Sequence, residues 1–189
     1  MVLVGRQRAA LLLGALAVLL TACSSPQRPE PPVGEVTDSA DCLASNLRYL
    51  AGAPLLPTVG AHAPAPLPGT LPEGFRPARV TLCHFEDGDG GAAVVEELRA
   101  GDIPAVVAAF AMPSSRPEGS CSQEFEAVPE LFLVDADGRA VRMAWPLDGC
   151  GTTRAEARTA IASLAVLADR RTPLLRLPPT SGGGPVGVG

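Results

Sequence analysis

The sequence contains no lysine: all 15 basic residues are arginine, set against 20 acidic ones, for a formal charge of −5. A GC-rich coding sequence explains this more simply than selection for guanidinium chemistry. With no basic cluster and an acidic balance, the chain is repelled by phosphate backbones, so nucleic acid is not an expected partner. One Trp, one Tyr and five Phe are too few for a carbohydrate-stacking platform. No C-x-x-C pair occurs, which excludes a zinc ribbon and a dithiol redox motif. There is no G-x-S-x-G, H-E-x-x-H or phosphate-binding glycine loop either. No apolar run reaches the roughly 18 residues that a permanent membrane-spanning helix requires.

The first 22 residues have the layout of an export signal. Arg6 and Arg8 precede an uncharged run over residues 9–20, and Leu20-Thr21-Ala22-Cys23 follows. A positive start, a short apolar stretch and a small residue before a cut define such a signal. The cysteine directly after Ala22 resembles the lipobox of bacterial lipoproteins. That resemblance implies a diacylglycerol on the Cys23 thiol, cleavage before it, and Cys23 as the mature N-terminus. Two acyl chains suffice for stable anchoring. The expected location is therefore the extracytoplasmic face of a cell membrane, with the membrane as partner and a protein of the envelope as a second. Cleavage removes two arginines, leaving 13 basic against 20 acidic groups, a net −7.

The mature chain is long enough for one modest core. Residues 24–41 are Ser, Pro, Gln and Glu with little to bury, so residues 23–41 read as a lipidated tether. Extended like polyproline, it would hold the domain roughly 50 Å from the membrane. Leu43, Leu47 and Leu50 suggest a helical turn or two. Six prolines between 54 and 72 then make residues 42–72 a Pro-rich linker or wrap, with His62 inside it. The folded domain is expected over residues 73–170.

Residues 79–85 alternate and are rich in β-formers, which predicts a strand. Residues 86–91 form a turn. Residues 92–99 fit either a returning strand or a short helix, and the strand is preferred. Asp102 is a suitable N-cap, Pro104 suits a first turn, and a buried helix carrying Val106, Val107 and Phe110 runs to Met112. Leu131-Phe132-Leu133-Val134 is a continuous apolar run, hence a strand covered on both faces. Asp135-Ala136-Asp137-Gly138 supplies a hairpin turn, and Val141, Met143 and Trp145 share one face of the return strand. Thr153 and Glu156 have capping-box spacing at the start of a helix with a stripe at Ala157, Ala160, Ile161, Leu164 and Leu167. Residues 171–189 read as a disordered tail. The fold class is α+β, with strand–strand–helix–strand–strand–helix order, a mainly antiparallel sheet and the helices on one face.

Beyond Cys23, the cysteines are Cys42, Cys83, Cys121 and Cys150, an even number in a compartment that permits disulfides. Cys121 and Cys150 flank the open end of the hairpin, so the expected pair is Cys121–Cys150. Cys42–Cys83 then follows by elimination and pins the Pro-rich wrap to the first strand.

The residues that could carry chemistry do not form a recognisable set. Cys83 and His84 are adjacent on a strand and point to opposite faces, which excludes joint chelation or a nucleophile–base pair without a bulge. His62 sits on a proline-rich segment, a poor place for a preorganised base. The Asp87-Gly88-Asp89-Gly90 and Asp135-Ala136-Asp137-Gly138 stretches lack the full ligand set of a calcium loop and suit tight turns instead. Glu124, Glu126 and Glu130 could form an acid–base pair only if a cleft joined two of them. No catalytic residue, metal or cofactor is expected, and the prediction is a non-catalytic binding or envelope-accessory module. An envelope enzyme with unidentified residues is the alternative.

Two resemblances bear on this. Val128-Pro129 before a strand and an Asp-x-Asp-Gly turn is similar to the second half of a thioredoxin-like domain, where a cis-proline faces the redox centre. The first half departs from that pattern, leaving a degenerate thioredoxin-like fold as the alternative architecture. Over residues 71–168 the chain resembles a family of actinobacterial lipoproteins. The features that carry this are Leu71-Pro72-x-Gly74-Phe75 before the Cys83 strand, Cys121 before a buried strand, the 134–139 turn, and Asp148-Gly149-Cys150-Gly151 before the last helix. That family brings no established activity with it.

Overall fold

The computed structural model describes residues 28–50, 56–57, 61–87, 92–117, 121 and 126–175. In chain order these form β1 (Val36–Thr37), α1 (Ser45–Leu50), β2 (Leu56–Pro57), β3 (Pro77–Glu86), β4 (Ala93–Ala100), α2 (Ile103–Phe110), β5 (Glu130–Asp135), β6 (Ala140–Arg142), α3 (Ala155–Ala162) and β7 (Ala165–Leu175). The strands lie in the order β1-β6-β5-β3-β4-β7-β2, and each pairing between them is antiparallel. The α+β class with a mainly antiparallel sheet is what the structure shows. The expected six-element order is incomplete, because β1, α1 and β2 precede it and β7 follows it.

Alternation along the central strands builds two cores. Val80 and Leu82 of β3, with Leu131 and Leu133 of β5, face Val106 and Phe110 of α2 and Ile161 of α3. On the other side Cys83, Phe132 and Val134 meet Ala44, Leu47 and Leu174. All four residues 131–134 are buried, as a strand covered on both faces requires. The expectation of helices on a single face is corrected here. The N-terminal part of α1 packs on the face opposite α2 and α3, because a sheet with two apolar faces must cover both.

The ends of the domain also need correction. Residues from 28 onward in the expected tether belong to the fold. Gly34 N–H donates to Thr70 O at 2.8 Å, Thr70 N–H donates to Pro32 O at 2.8 Å, and Val36 and Thr37 pair with β6. Low apolar content suggested a solvated chain, but the backbone groups along the edge of β6 supply partners that composition does not reveal. The close crossing needs glycine: a Cβ on Gly69 would lie 2.5 Å from Pro32 O and from Gly34 N. Residues 61–72 likewise line the domain, with Asn46 bonded twice to the Ala65 backbone.

The last helix ends at Ala162, short of the expected Leu167, and the next residues form β7. Leu164 is buried as expected, whereas Leu167 is 61% exposed. Eight residues of β4 find their ladder partners on β7, so completing that edge outweighs extension of the helix. Residues 171–175 of the expected tail thus belong to the strand, and residues 176–189 lie outside the described residues. The capping box is not formed either. Arg154 is the N-cap of α3 without a side-chain cap bond, and the Thr153 hydroxyl donates to Glu126 instead.

The hairpin and α2 follow the expected chemistry. Gly138 has φ +91° at the turn. The Asp102 carboxylate accepts the Ala105 N–H at 3.1 Å, and a proline occupies the first turn of the helix. Val141, Met143 and Trp145 contribute to one core, although β6 itself ends at Arg142. The turn over residues 88–91 lies outside the described residues.

Candidate functional site

The four described cysteines form two disulfides in the expected pairs. Cys42 and Cys83 are joined with Cα atoms 5.3 Å apart, both buried in the second core. Cys121 and Cys150 are joined with Cα atoms 5.4 Å apart at the open end of the hairpin, where Cys150 is exposed. Cys23 lies outside the described residues.

The titratable groups singled out from the sequence are dispersed. His84 Nε2 lies 3.2 Å from Glu97 on the neighbouring strand, and Glu97 also binds Arg99 at 2.7 Å. His62 Nδ1 lies 2.9 Å from Asp41, so that histidine has a fixed partner within the Pro-rich segment. Glu130 accepts from the buried Arg142 at 2.8 Å. Glu126 receives the Thr153 hydroxyl at 2.6 Å and the Thr153 N–H at 2.7 Å. Glu124 is outside the described residues. Glu126 and Glu130 therefore serve separate structural contacts and do not converge.

Burial by itself would raise the Glu126 pKa, but the two Thr153 bonds and the charge of Arg158 hold it below its ordinary value. Asp135 behaves alike: desolvation is outweighed by the side chain and N–H of Arg139 and by the Asp137 N–H. Its Oδ1 accepts the N–H groups of residues 137 and 139, at 3.0 and 2.9 Å. This is turn chemistry, as expected for that Asp-rich stretch, and no cluster of three metal-ligating side chains occurs among the described residues. Asp148 is lowered chiefly by the Thr152 hydroxyl, which it accepts at 2.6 Å.

What the structure assembles is a groove that sequence reasoning missed. Its volume is about 940 Å³, and it lies between the segment 28–31, the C-terminal end of α2 and the chain after β6. Leu71, Val107, Met112 and Trp145 are its accessible apolar residues, while Phe110, Leu133 and Met143 of its lining are buried. The Trp145 and Phe110 rings stand 4.9 Å apart at 52°, and the Trp145 indole N–H donates to Pro129 O at 2.9 Å, which fixes the ring. Arg28, Arg116 and Glu30 are the charged residues of the lining. None of His62, His84, Glu126 or Glu130 borders it. Phe110 and Trp145 were legible as core residues. The opposing wall was not, because residues 28–31 read as solvated tether. Its lining mixes apolar side chains with nearly as much polar surface, including Thr70 and Ser114, so it offers both kinds of contact to a ligand.

Comparison with protein-family models, with curated proteins and with solved structures gave no match. Every strand pairing is antiparallel and no peptide bond among the described residues is cis, including the one before Pro129.

Proposed function

We propose that this chain is an exported lipoprotein, acylated on Cys23, that works at the extracytoplasmic face of the cell membrane as a non-catalytic binding module. The observation that carries this reading is the pair of closed disulfides behind a signal ending in Leu-Thr-Ala-Cys. Two bonds in a small domain fit an oxidising compartment. The groove supports binding over catalysis, since its lining brings together apolar side chains and guanidinium groups. A nucleophile beside a base, or two facing carboxylates, would argue the other way. The acidic mature charge opposes a nucleic-acid partner. Under this reading the run from β3 to α3 is the ββαββα core shared with the actinobacterial lipoproteins that the sequence resembles.

Metabolic labelling with a fatty-acid analogue tests the anchor. The wild-type protein is expected to incorporate label and to fractionate with membranes, and Cys23→Ala to do neither. Equal labelling of the two proteins would refute acylation at this residue.

A further inference from the structure

We infer that the groove binds an anionic single-chain amphiphile, with the acyl chain on the surface of Leu71, Val107, Met112 and Trp145 and the carboxylate held by Arg28 and Arg116. The inference rests on the binding role proposed above and names its ligand class. Three observations carry it. First, the lining sets aliphatic and aromatic residues beside nearly as much polar surface, and the volume, about 940 Å³, lies at the upper end for small-molecule sites. A roomy lining of both characters suits a ligand with one apolar and one polar end.

Second, the sign of the local charge is reversed. The chain as a whole carries −5, yet the groove lining holds two arginines and one glutamate. Neither Arg28 nor Arg116 forms an ion pair among the described residues. The Arg28 Nε is shielded from solvent and has no hydrogen-bond partner. A ligand does not reach that shielded atom, so a carboxylate in the groove is met by the outer guanidinium N–H groups of Arg28 and by the exposed Arg116.

Third, the groove lies close to a source of such ligands. Arg28 is five residues beyond Cys23, and a fully extended chain spans at most about 3.6 Å per residue, or roughly 18 Å in all. With the anchor at Cys23, Arg28 of the groove lining stays within that distance of the lipid.

Trp145 is the only tryptophan and lies in the groove, so contact quenching of its fluorescence reports occupancy of this place alone. The probe is dibromostearate, compared with its uncharged methyl ester, titrated into the full-length Cys23→Ser protein. Saturable quenching is expected, with the acid binding roughly tenfold more tightly than the ester, the scale of one charge-assisted contact. Replacing both arginines, Arg28→Ala and Arg116→Ala, is expected to remove that preference and leave the ester titration unchanged. Should the double variant fail to fold, the exposed Arg116→Ala alone must still weaken the acid selectively. Absence of quenching, or equal binding of acid and ester by the parent protein, would overturn the inference. Quenching of the Cys23→Ser protein combined with refusal of the probe by acylated wild type would place the chain's own lipid in the groove, and would overturn it too. Labelling of Cys23 is scored separately, so a failed anchor and a failed ligand site give different results.

Discussion

Removing the Cys42–Cys83 bond is expected to cost more stability than removing Cys121–Cys150, and the difference separates burial from chain entropy. The bonds close loops with sequence separations of 41 and 29 residues. Loop-closure entropy assigns them about 3.9 and 3.6 kcal/mol at 25 °C, values close enough to cancel in a comparison. Their surroundings do not cancel. Cys42 and Cys83 are 5% and 7% exposed and pack with Leu47, Phe132 and Val134, whereas Cys150 is exposed on a loop. Replacing the buried pair with alanine also leaves a cavity, adding on the order of 1 kcal/mol. Cys42→Ala with Cys83→Ala should therefore lose about 5 kcal/mol, against about 3.6 for Cys121→Ala with Cys150→Ala. Both are large beside the roughly 5–15 kcal/mol total of an ordinary domain. Urea unfolding of the two double variants, followed by far-ultraviolet circular dichroism, gives both midpoints and slopes. Equal losses, or a larger loss at the exposed bond, would refute the assignment of the extra cost to burial.

Acid should destabilise the protein. Glu126, Asp135 and Asp148 all have folded pKa values lowered from their ordinary ones. Their contribution is thus complete above the usual carboxylate range and is lost as pH falls through it, below about pH 4; a urea midpoint that held constant down to about pH 2 would contradict this. Glu130→Ala leaves the buried Arg142 without its carboxylate, though the Pro66 carbonyl still accepts one N–H at 2.8 Å. A loss of about 2 kcal/mol is expected by thermal or urea unfolding, less than for a fully buried pair because Glu130 is partly exposed, and a change under about 0.5 kcal/mol, the usual scale of a surface substitution, would show the pair to be unimportant.

The parts legible in the sequence are those set by local chemistry. Asp102 with Pro104 fixed the start of α2, Gly138 fixed the hairpin turn, and the apolar run 131–134 identified the strand buried on both faces. The hairpin then placed Cys121 beside Cys150, a long-range contact obtained from a short-range one. What failed depended on distant partners. Thr153 and Glu156 have the spacing of a capping box, but Glu126, 27 residues away, takes the Thr153 hydroxyl. Residues 165–175 have no decisive periodicity, and their conformation is imposed by the open edge of β4.

The groove was illegible for the same reason, with a sharper consequence. Its apolar wall comes from α2, β5 and the chain after β6, each foreseeable as core, while the wall bearing Arg28 comes from a segment whose composition indicates solvent. Composition reports what a segment can bury by itself and is silent about backbone pairing. Here Gly34 and Gly69 permit two backbones to cross more closely than side chains would allow, and the bonds between Pro32, Gly34 and Thr70 hold the N-terminal arm in place. Folding the arm into the domain shortens the spacer that a lipid on Cys23 would have. The roughly 50 Å tether expected from residues 24–41 contracts to the few residues before Arg28, roughly 18 Å at most. A module on a long tether samples partners across the envelope. If Cys23 is acylated as proposed, a module held this closely would meet the membrane surface first, with Arg28 of the groove lining no more than those few residues from the lipid.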